Sequence, residues 1–225
     1  MSSDNDVIKS VQDFYNQAGV HFSRTRQKKY GRGSCNWVVT DQYLNRLKTG
    51  QSILDLGCGN GKLVTGLPKG VAYLGTDFSE TLLSEARILH PEYEFRYGDV
   101  LDPKDWDQLG LYDAIFCVAV LHHIPQRENQ VYVLAQIKKH LNADGFAFLT
   151  VWNLWQKRFL KYHLESHVEV PYNKKWKRYC VAYELPEMMQ LCVDAGLTVK
   201  EIFYADRNGN KSNVQGGENL VVVSS

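Results

Sequence analysis

The feature that most constrains the fold is a short apolar run, 52–56, that leads into the loop Asp55-Leu56-Gly57-Cys58-Gly59-Asn60-Gly61 and then into a predicted helix at 62–67. Glycines allow tight backbone turns and the close approach of a bound molecule. A strand, a glycine turn and a helix in this order are typical of sheets that bind nucleotides at the carboxyl ends of their strands. The sequence therefore predicts an α/β protein with a ligand site at this loop.

Apolar runs alternate with helical segments throughout residues 51–152, which predicts a parallel sheet with right-handed crossovers. Ser79 is the expected N-cap of one of the helices. Strands are expected at 52–56, 72–76, 93–97, 112–118 and 145–152, and helices at 62–67, 79–90 and 128–141.

The segments on either side of this core also carry patterns. Apolar residues at helical spacing predict a helix over 7–19, ended by Gly19, and a second helix over 37–47. The stretch 153–183 is rich in aromatic and basic residues and has no clear period. Beyond it, a helix is expected at 184–195, and strands at 198–204 and 219–223 predict an antiparallel pair added to the sheet.

Three acidic residues stand at the ends of the first three predicted strands. Asp55 precedes the first glycine, where a carboxylate would repel a pyrophosphate but would attract the cationic ammonium and sulfonium of S-adenosylmethionine. Asp77 follows 22 residues later (77 − 55), where a carboxylate can bind ribose hydroxyls. Asp99 could meet the adenine amino group. Together the three acids predict an S-adenosylmethionine site.

The run from Ile53 to Gly61, with Asp77 and Asp99, resembles the class I S-adenosylmethionine-dependent methyltransferase superfamily. The resemblance implies a Rossmann-like α/β fold with helices on both faces of a seven-stranded, mostly parallel sheet. Its implied strand order is 3-2-1-4-5-7-6, with the last strand reversed. The implied contacts of the cofactor, S-adenosyl-L-methionine, are Asp55, Gly57, Cys58, Gly59, Asn60, Gly61, Asp77, Phe78, Ser79, Gly98, Asp99, Val100, Cys117 and Val118.

Further segments resemble a narrower family, the tRNA wobble-uridine carboxymethyl ester methyltransferases. The most specific of them is His21-Phe22-Ser23-Arg24-Thr25-Arg26. The others are Ala119-Val120-Leu121-His122-His123, Gln126-Arg127-Glu128, Val151-Trp152 and Glu218-Asn219-Leu220-Val221-Val222. The resemblance implies Arg26, His122 and His123 as catalytic residues and His21, Arg24, Arg26, Arg127 and Trp152 as substrate-binding residues.

The sequence departs from this family at two places. The family usually continues with an aromatic residue followed by Lys-Pro-Trp-Pro, whereas this chain has Gln27-Lys28-Lys29-Tyr30-Gly31, and residues 153–183 match poorly. Both stretches lie where the substrate is expected. The reaction is therefore better specified than the acceptor.

The chemistry of the acceptor leaves alternatives open. A carboxylate is already ionised near neutral pH and needs no general base, only a group such as Arg26, with Arg24 nearby, to hold its second oxygen. An amine or phenol would need a base with a tuned pKa. His122 or His123 could serve either acceptor, so the histidines do not discriminate.

The net charge of the chain says nothing about its substrate, because 26 Lys and Arg nearly balance 25 Asp and Glu. Only local clusters of charge can indicate a partner. The segment 21–32 holds five basic residues and no acid, and 153–183 holds seven basic residues against Glu165 and Glu169. Two basic, aromatic segments beside the predicted site are the pattern expected for RNA. A lid over a small acidic substrate would look similar.

The length of 225 residues favours a single domain, 1–225, with four parts. These are an N-terminal helical and basic substrate segment (1–50), the cofactor-binding core (51–152), a basic aromatic lid or insertion (153–183) and a C-terminal helix with an antiparallel strand pair (184–225). The five scattered cysteines predict neither a metal site nor disulfides. With no membrane-spanning run and no signal peptide, a cytoplasmic protein is expected.

The leading hypothesis is therefore a methyltransferase that esterifies 5-carboxymethyluridine at the wobble position of tRNA. A small-molecule O- or N-methyltransferase is the alternative enzyme. A catalytically silent protein with the cofactor fold, acting as a binding partner, is the alternative from another class. Eukaryotic relatives pair with a small zinc-binding activator, which implies that the edge strand 93–97 could accept a partner by strand addition.

Overall fold

A computed structural model describes residues 4–26, 34, 36–164, 167–172 and 175–225, and for residues 4, 5, 22 and 24–26 it describes the backbone alone. The helices are α1 (Asp4–Arg26), α2 (Val38–Leu44), α3 (Glu80–Leu89), α4 (Pro103–Trp106), α5 (Arg127–Lys139), α6 (Lys157–Leu160) and α7 (Leu185–Asp194). The strands are β1 (Ser52–Leu56), β2 (Ala72–Asp77), β3 (Glu94–Tyr97), β4 (Tyr112–Val118), β5 (Leu141–Trp152), β6 (Val168–Tyr172), β7 (Trp176–Cys180), β8 (Val199–Ala205), β9 (Lys211–Ser212) and β10 (Asn219–Ser224). Short 3-10 helices cover Lys62–Gly66 and Leu121–His123.

The large sheet has the order β3-β2-β1-β4-β5-β10-β8-β9. Strands β1 to β5 are parallel, whereas β10 runs antiparallel between β5 and β8. The predicted order of seven strands and the reversed last strand are confirmed. The strand number is corrected to eight, because Lys211 and Ser212 add a polar edge strand too short to show an apolar alternation.

Strand β1 lies in the middle of the sheet and connects its two hydrophobic layers. Leu54 and Leu56 are packed in the layer that includes α5 and α7, whereas Ile53 belongs to the opposite layer beneath α2 and α3. Asp55 shares the face of Ile53 because side chains alternate along a strand. The carboxyl end of this buried strand therefore places a carboxylate at the start of the glycine loop.

Helix α1 is longer than predicted. It continues through Gly19 to Arg26, so the prediction that Gly19 ends it is wrong. A Cβ atom at Gly19 would lie 2.9 Å from Cγ2 of Thr81, which shows that the glycine allows close packing of α1 on α3. Thr81 also donates a hydrogen bond from Oγ1 to the carbonyl oxygen of Asn16, at 3.1 Å.

Strands β6 and β7 form a separate antiparallel hairpin within the stretch that has no sequence period. Val168, Val170 and Cys180 of the hairpin pack with Leu154 in a small core of their own. Strand β7 also contacts α1. Among the described residues, no helix combines the length and the apolar composition needed to cross a membrane.

Candidate active site

The main pocket opens at the carboxyl ends of β1 to β5 and is covered by α1. Most of the implied cofactor contacts line it. Those residues are Asp55, Gly57, Cys58, Gly59, Asn60, Asp77, Phe78, Gly98, Asp99, Val100 and Val118.

Three residues implied as cofactor contacts support the pocket without lining it. Gly61, with φ of +73°, begins the 3-10 helix and packs against Phe95. Ser79 is the N-cap of α3 and accepts a hydrogen bond from the backbone N–H of Leu82, as predicted for a cap. Cys117 is fully buried in the core. Direct contact of these residues with a cofactor stays a prediction.

The glycine loop has a backbone that side chains would not tolerate. Gly57 and Gly59 have φ of +66° and +57°, in the left-handed region. A Cβ atom at Gly57 would lie 2.4 Å from Cγ2 of Val120. The loop therefore passes directly beneath Val120 and leaves its backbone exposed to the pocket.

The carboxyl group of Asp55 is buried at the base of the loop. Tyr73 donates its hydroxyl hydrogen to Oδ2 of Asp55, at 2.8 Å. Burial raises the pKa of Asp55 to about 7, with a further increase from Asp77. This carboxyl group is thus poised to ionise when a positive charge binds nearby.

Asp77 organises the loop from the end of β2. Its two carboxylate oxygens accept hydrogen bonds from the backbone N–H groups of Gly59 and Ser79, both at 2.8 Å. Burial raises the pKa of Asp77 to about 6, although these hydrogen bonds oppose the shift. Asp77 therefore fixes the position of Gly59 and adds negative charge to the same wall of the pocket.

Asp99 lies further along this wall, at the end of β3. Its Oδ1 accepts a hydrogen bond from Leu101 N–H at 2.9 Å, and its Oδ2 accepts one from the side-chain amide of Gln12 at 3.0 Å. Partial burial raises the pKa of Asp99. The three predicted acids thus share one pocket wall, and their elevated pKa values fit a cationic ligand such as S-adenosyl-L-methionine.

Helix α1 contributes a roof that the sequence interpretation missed. Ile8, Val11, Gln12 and Tyr15 line the pocket from this helix. The helical spacing of the apolar positions was the available signal, because 8, 11 and 15 fall on one face. Asn60 connects the glycine loop to the roof by donating from its side-chain amide to Oγ of Ser23, at 3.0 Å.

Tyr15, His123 and Trp152 line the opposite end of the pocket, which we call the aromatic side. Nδ1 of His123 lies 2.8 Å from the carbonyl oxygen of Tyr179, which can only accept, so Nδ1 carries the proton. Nε2 therefore accepts from the Tyr15 hydroxyl at 2.9 Å. Burial lowers the pKa of His123 to about 4, so its ring is neutral at neutral pH.

His122 lies behind the aromatic side and does not line the pocket. Its ring is 4.8 Å from that of Trp152, and neither ring nitrogen has a hydrogen-bond partner among the described residues. Burial lowers its pKa well below the usual histidine value. Of the two predicted histidines, His123 is thus the one that faces the pocket.

The predicted arginines and His21 lie in different surroundings. The side chains of Arg24 and Arg26 are outside the described part of the structure, so their roles stay predictions. Nδ1 of His21 lies 2.8 Å from the hydroxyl of Tyr172, at the hairpin rather than in the pocket. Arg127 forms an ion pair with Asp194 of α7, away from the pocket lining.

His122, His123 and Cys180 form a buried group whose potential ligand atoms lie within 4.8 Å of one another. Burial raises the pKa of the Cys180 thiol to about 12. The nearby positive charge of Arg178 lowers the pKa of both histidines further. A neutral thiol and an adjacent cation both oppose the binding of a metal ion.

Comparison with known proteins identifies the family. A methyltransferase-domain family matches residues 34–202. The chain belongs to this family. The predicted class I methyltransferase fold, enzyme class and S-adenosyl-L-methionine cofactor are confirmed at this level.

Individual relatives agree with this family. This methyltransferase-domain protein is 32% identical over 165 residues to the tRNA (carboxymethyluridine(34)-5-O)-methyltransferase of Saccharomyces cerevisiae, covering 72% of the chain but 56% of the relative. It is 30% identical over 197 residues to an Encephalitozoon cuniculi protein named as a methyltransferase, covering 84% of the chain and 87% of the relative. The chain thus spans about half the length of the yeast relative.

A solved structure shares the fold at lower sequence identity. It holds the Haloferax volcanii Trm112 methyltransferase activator in complex with a protein named as a methyltransferase. Its TM-score is 0.69 at 16% identity, covering 93% of this chain and 96% of the other.

Proposed function

We propose that this methyltransferase-domain protein esterifies the carboxylate of 5-carboxymethyluridine at the wobble position of tRNA. The observation that carries the proposal is the low pKa of His122 and His123, together with the hydrogen bonding of His123. His123 uses both ring nitrogens in hydrogen bonds and has a pKa of about 4, and the pKa of His122 is lowered well below its usual value. Neither is tuned to remove a proton from an amine or phenol near neutral pH. A carboxylate needs no such base because it is already ionised.

The cofactor half of the mechanism follows from the acidic wall. S-adenosyl-L-methionine, when bound, supplies a methyl group on a cationic sulfur. Asp55 provides negative charge for the ammonium group of that ligand, and Asp77 and Asp99 provide acceptors further along the wall. The α1 roof lines the pocket with Ile8 and Val11, and Tyr15 and Trp152 restrict where an acceptor can lie. The chain thus acts mainly by positioning the two reactants.

The hairpin side of the pocket supports an RNA substrate. Lys157, Arg158, Lys161, Lys175 and Lys177 are all exposed there. Lys161 and Lys175 lie over the rings of Tyr162 and Trp176, at 5.0 and 4.3 Å from the ring centroids. Exposed cations next to aromatic rings suit phosphates flanking an unstacked base. The name of the yeast relative, a tRNA (carboxymethyluridine(34)-5-O)-methyltransferase, agrees with this substrate class.

The direct test is methyl transfer from labelled cofactor to purified tRNA. Transfer RNA that carries 5-carboxymethyluridine should accept label, and the same RNA with the methyl ester already in place should not. Labelling of both RNAs would indicate another methylation site and would refute the proposal.

Salt dependence separates this function from a small-molecule methyltransferase. Phosphate contacts release counterions, so the kcat/KM for tRNA should fall steeply with salt concentration. Turnover of a small neutral acceptor should change little. A wild-type protein that methylates small acceptors with a flat salt profile and leaves tRNA unmodified would establish the alternative.

We further propose that β3 binds a small activator protein by strand addition. Strand β3 is the edge of the large sheet, and Tyr97, Ile88 and Leu89 expose 53%, 75% and 38% of their surface on and beside it. Exposed apolar residues next to an unpaired strand edge are typical of a docking surface. The solved complex with the Haloferax volcanii activator shows that a protein of this fold can have such a partner.

The partner proposal is tested by co-purification with an activator of that class. Ile88→Glu should abolish the complex, because it places a charge on the apolar surface, while leaving the melting temperature unchanged. Val193→Glu is the matched control, since Val193 is 54% exposed on α7, which packs against α5 and β8 rather than β3. Equal effects of both substitutions, or none, would argue against the surface.

A cytoplasmic location stays a prediction.

A further inference from the structure

Arg178 on β7 is a buried cation to which the described residues give no counter-ion. Only 6% of its surface is exposed. Nε and Nη1 have no hydrogen-bond partner among the described residues, and the ion pairs found in that part of the chain do not include Arg178. Its sequence neighbour Lys177, by contrast, is exposed and paired with Glu169. Of these two neighbouring cations, the fold therefore buries the one that has no ion pair with any residue that the structure describes.

Aromatic rings surround the guanidinium group. Its central carbon lies 4.5 Å from the ring centroid of Trp152, 5.3 Å from that of Tyr172 and 5.4 Å from that of Phe14. Ring faces stabilise a cation but do not replace the hydrogen bonds of its N–H groups. An arginine that is buried with unsatisfied N–H groups is destabilising unless an anion binds to it.

The same place holds a second unsatisfied group. His122 also packs against Trp152, with its ring centroid 4.8 Å from that of Trp152. Its two ring nitrogens likewise lack hydrogen-bond partners among the described residues. Trp152 lines the pocket, so both groups lie directly behind the aromatic side. Of the two groups only Arg178 is charged, and a guanidinium with unpartnered N–H groups beside a pocket-lining ring favours an anionic ligand group.

We propose that Arg178 binds the carboxylate of the methyl acceptor. The inference rests on the proposed function, and it places on β7 the role that the sequence alone suggested for Arg26. The guanidinium fork matches the two oxygens of a carboxylate, which fixes the acceptor group in orientation. Arg178 thus selects an acidic acceptor over a neutral one.

The test compares two anticodon stem-loop RNAs, one with 5-carboxymethyluridine and one with its neutral amide, 5-carbamoylmethyluridine, at the wobble position. Fluorescence anisotropy in the presence of S-adenosylhomocysteine measures binding without turnover. The wild-type protein should prefer the acidic RNA by at least about tenfold, and Arg178→Met should bind both within about twofold. With full tRNA, Arg178→Met should lower kcat/KM by about a hundredfold. Retention of the acid preference in Arg178→Met would overturn the inference.

Lys177→Met is the matched control, because it removes an exposed cation from the adjacent position of the same strand. It should weaken binding of both RNAs equally and keep the acid preference. Arg178→Met should have cofactor affinity within about twofold of the wild-type protein, and its melting temperature should be unchanged or higher because a buried charge is removed. A lower melting temperature with an equal loss of both RNAs would assign Arg178 a structural role instead.

A second measurement separates failure of the inference from failure of the proposed function. If the wild-type protein transfers no methyl group to tRNA that carries 5-carboxymethyluridine, the tRNA proposal fails, whereas equal binding of the two RNAs by an active wild-type protein overturns the inference. Sodium acetate, compared with sodium chloride at equal ionic strength, should still raise the melting temperature of the wild-type and Lys177→Met proteins and leave that of Arg178→Met unchanged. Equal shifts in all three proteins would refute a carboxylate site at Arg178.

Discussion

The hydroxyl group of Tyr73 on β2 donates a hydrogen bond to the carboxyl group of Asp55 at the end of β1, over 2.8 Å. This contact holds a fully buried acid whose pKa is raised to about 7, mainly by burial. The folded protein therefore binds a proton at Asp55 that the unfolded chain has already released above pH ~4. The free energy of unfolding should decrease as the pH rises through about 7.

Asp55→Asn should stabilise the cofactor-free protein at pH 8 and weaken its binding of S-adenosyl-L-methionine. The amide keeps the acceptor for Tyr73 and removes the buried charge, so the melting temperature at pH 8 should rise above that of the wild-type protein. The difference should shrink as the pH falls from about 7 toward ~4, where the unfolded chain also becomes protonated. Loss of the carboxylate should lower cofactor affinity at least about tenfold, measured by calorimetry. A variant that is less stable at pH 8, with unchanged affinity, would contradict this account.

Tyr73→Phe should also reduce the negative charge at Asp55, through the pKa of its carboxyl group. The Tyr73 hydrogen bond lowers the pKa of Asp55, so its removal should raise that pKa further. Because the ammonium group of the cofactor requires ionised Asp55, affinity should fall at pH 7 and recover partly toward pH 9. The measurement is the cofactor dissociation constant as a function of pH. A loss of affinity independent of pH would indicate a packing effect.

Gly57→Ala should damage both the fold and cofactor binding. The new methyl group would approach Cγ2 of Val120 to 2.4 Å, and φ of +66° is unfavourable for alanine. Overpacking and backbone strain together should lower the free energy of unfolding by about 2–4 kcal/mol. Adding Val120→Ala removes the contact but not the strain, so it should restore part of the stability. Full restoration would exclude a contribution from the backbone.

The cofactor half of the site was predictable from sequence because local signals determine it. A buried β strand, left-handed glycines and the Ser79 cap each follow from residue type, and the acids at strand ends converge because parallel strands end at one edge. The acceptor half was less predictable. Arg178 lies on a hairpin whose packing against α1 and Trp152 connects distant segments, and no period in 153–183 indicates it.

The individual differences between sequence and structure have the same cause. Gly19 usually predicts a helix end, but close packing against Thr81 favours a continuous helix. Arg127 follows a family motif, yet its partner, Asp194, lies on a helix whose position depends on the tertiary fold. The helical spacing predicted only that Tyr15 lies on the apolar face of a helix. Its contact with His123 depends on how α1 lies over the pocket.

The pH profile of turnover should show no general base. His123 remains neutral above a pH of about 4, so kcat at saturating cofactor should be flat between pH 6 and pH 9. The kcat/KM for the cofactor should decrease below about pH 7, where Asp55 and then Asp77, with a pKa of about 6, become protonated. Tyr15→Phe should lower kcat modestly and leave the profile flat. An ionisation near pH 7 in the kcat profile would contradict this prediction. It would indicate that a histidine acts as a base on an amine or phenol acceptor.

Helix α1 should respond to Gly19→Ala in a manner that depends on Thr81. Alanine is favoured over glycine within a helix by about 1 kcal/mol, but here its Cβ would lie 2.9 Å from Cγ2 of Thr81. In the wild-type background the substitution should therefore destabilise the protein and, by displacing the roof, weaken cofactor binding. Thr81→Ser removes that methyl group and keeps the hydroxyl that donates to Asn16.

In the Thr81→Ser background, Gly19→Ala should become stabilising, and the cofactor affinity should equal that of Thr81→Ser alone. A double-mutant cycle on the free energy of unfolding measures the coupling, which we expect to exceed about 1 kcal/mol. Gly110→Ala is the comparison for a glycine in open space, since nothing lies within 4 Å of its Cβ position, and its effect should be independent of Thr81. Additive effects of Gly19→Ala and Thr81→Ser would show that the roof does not depend on this close contact.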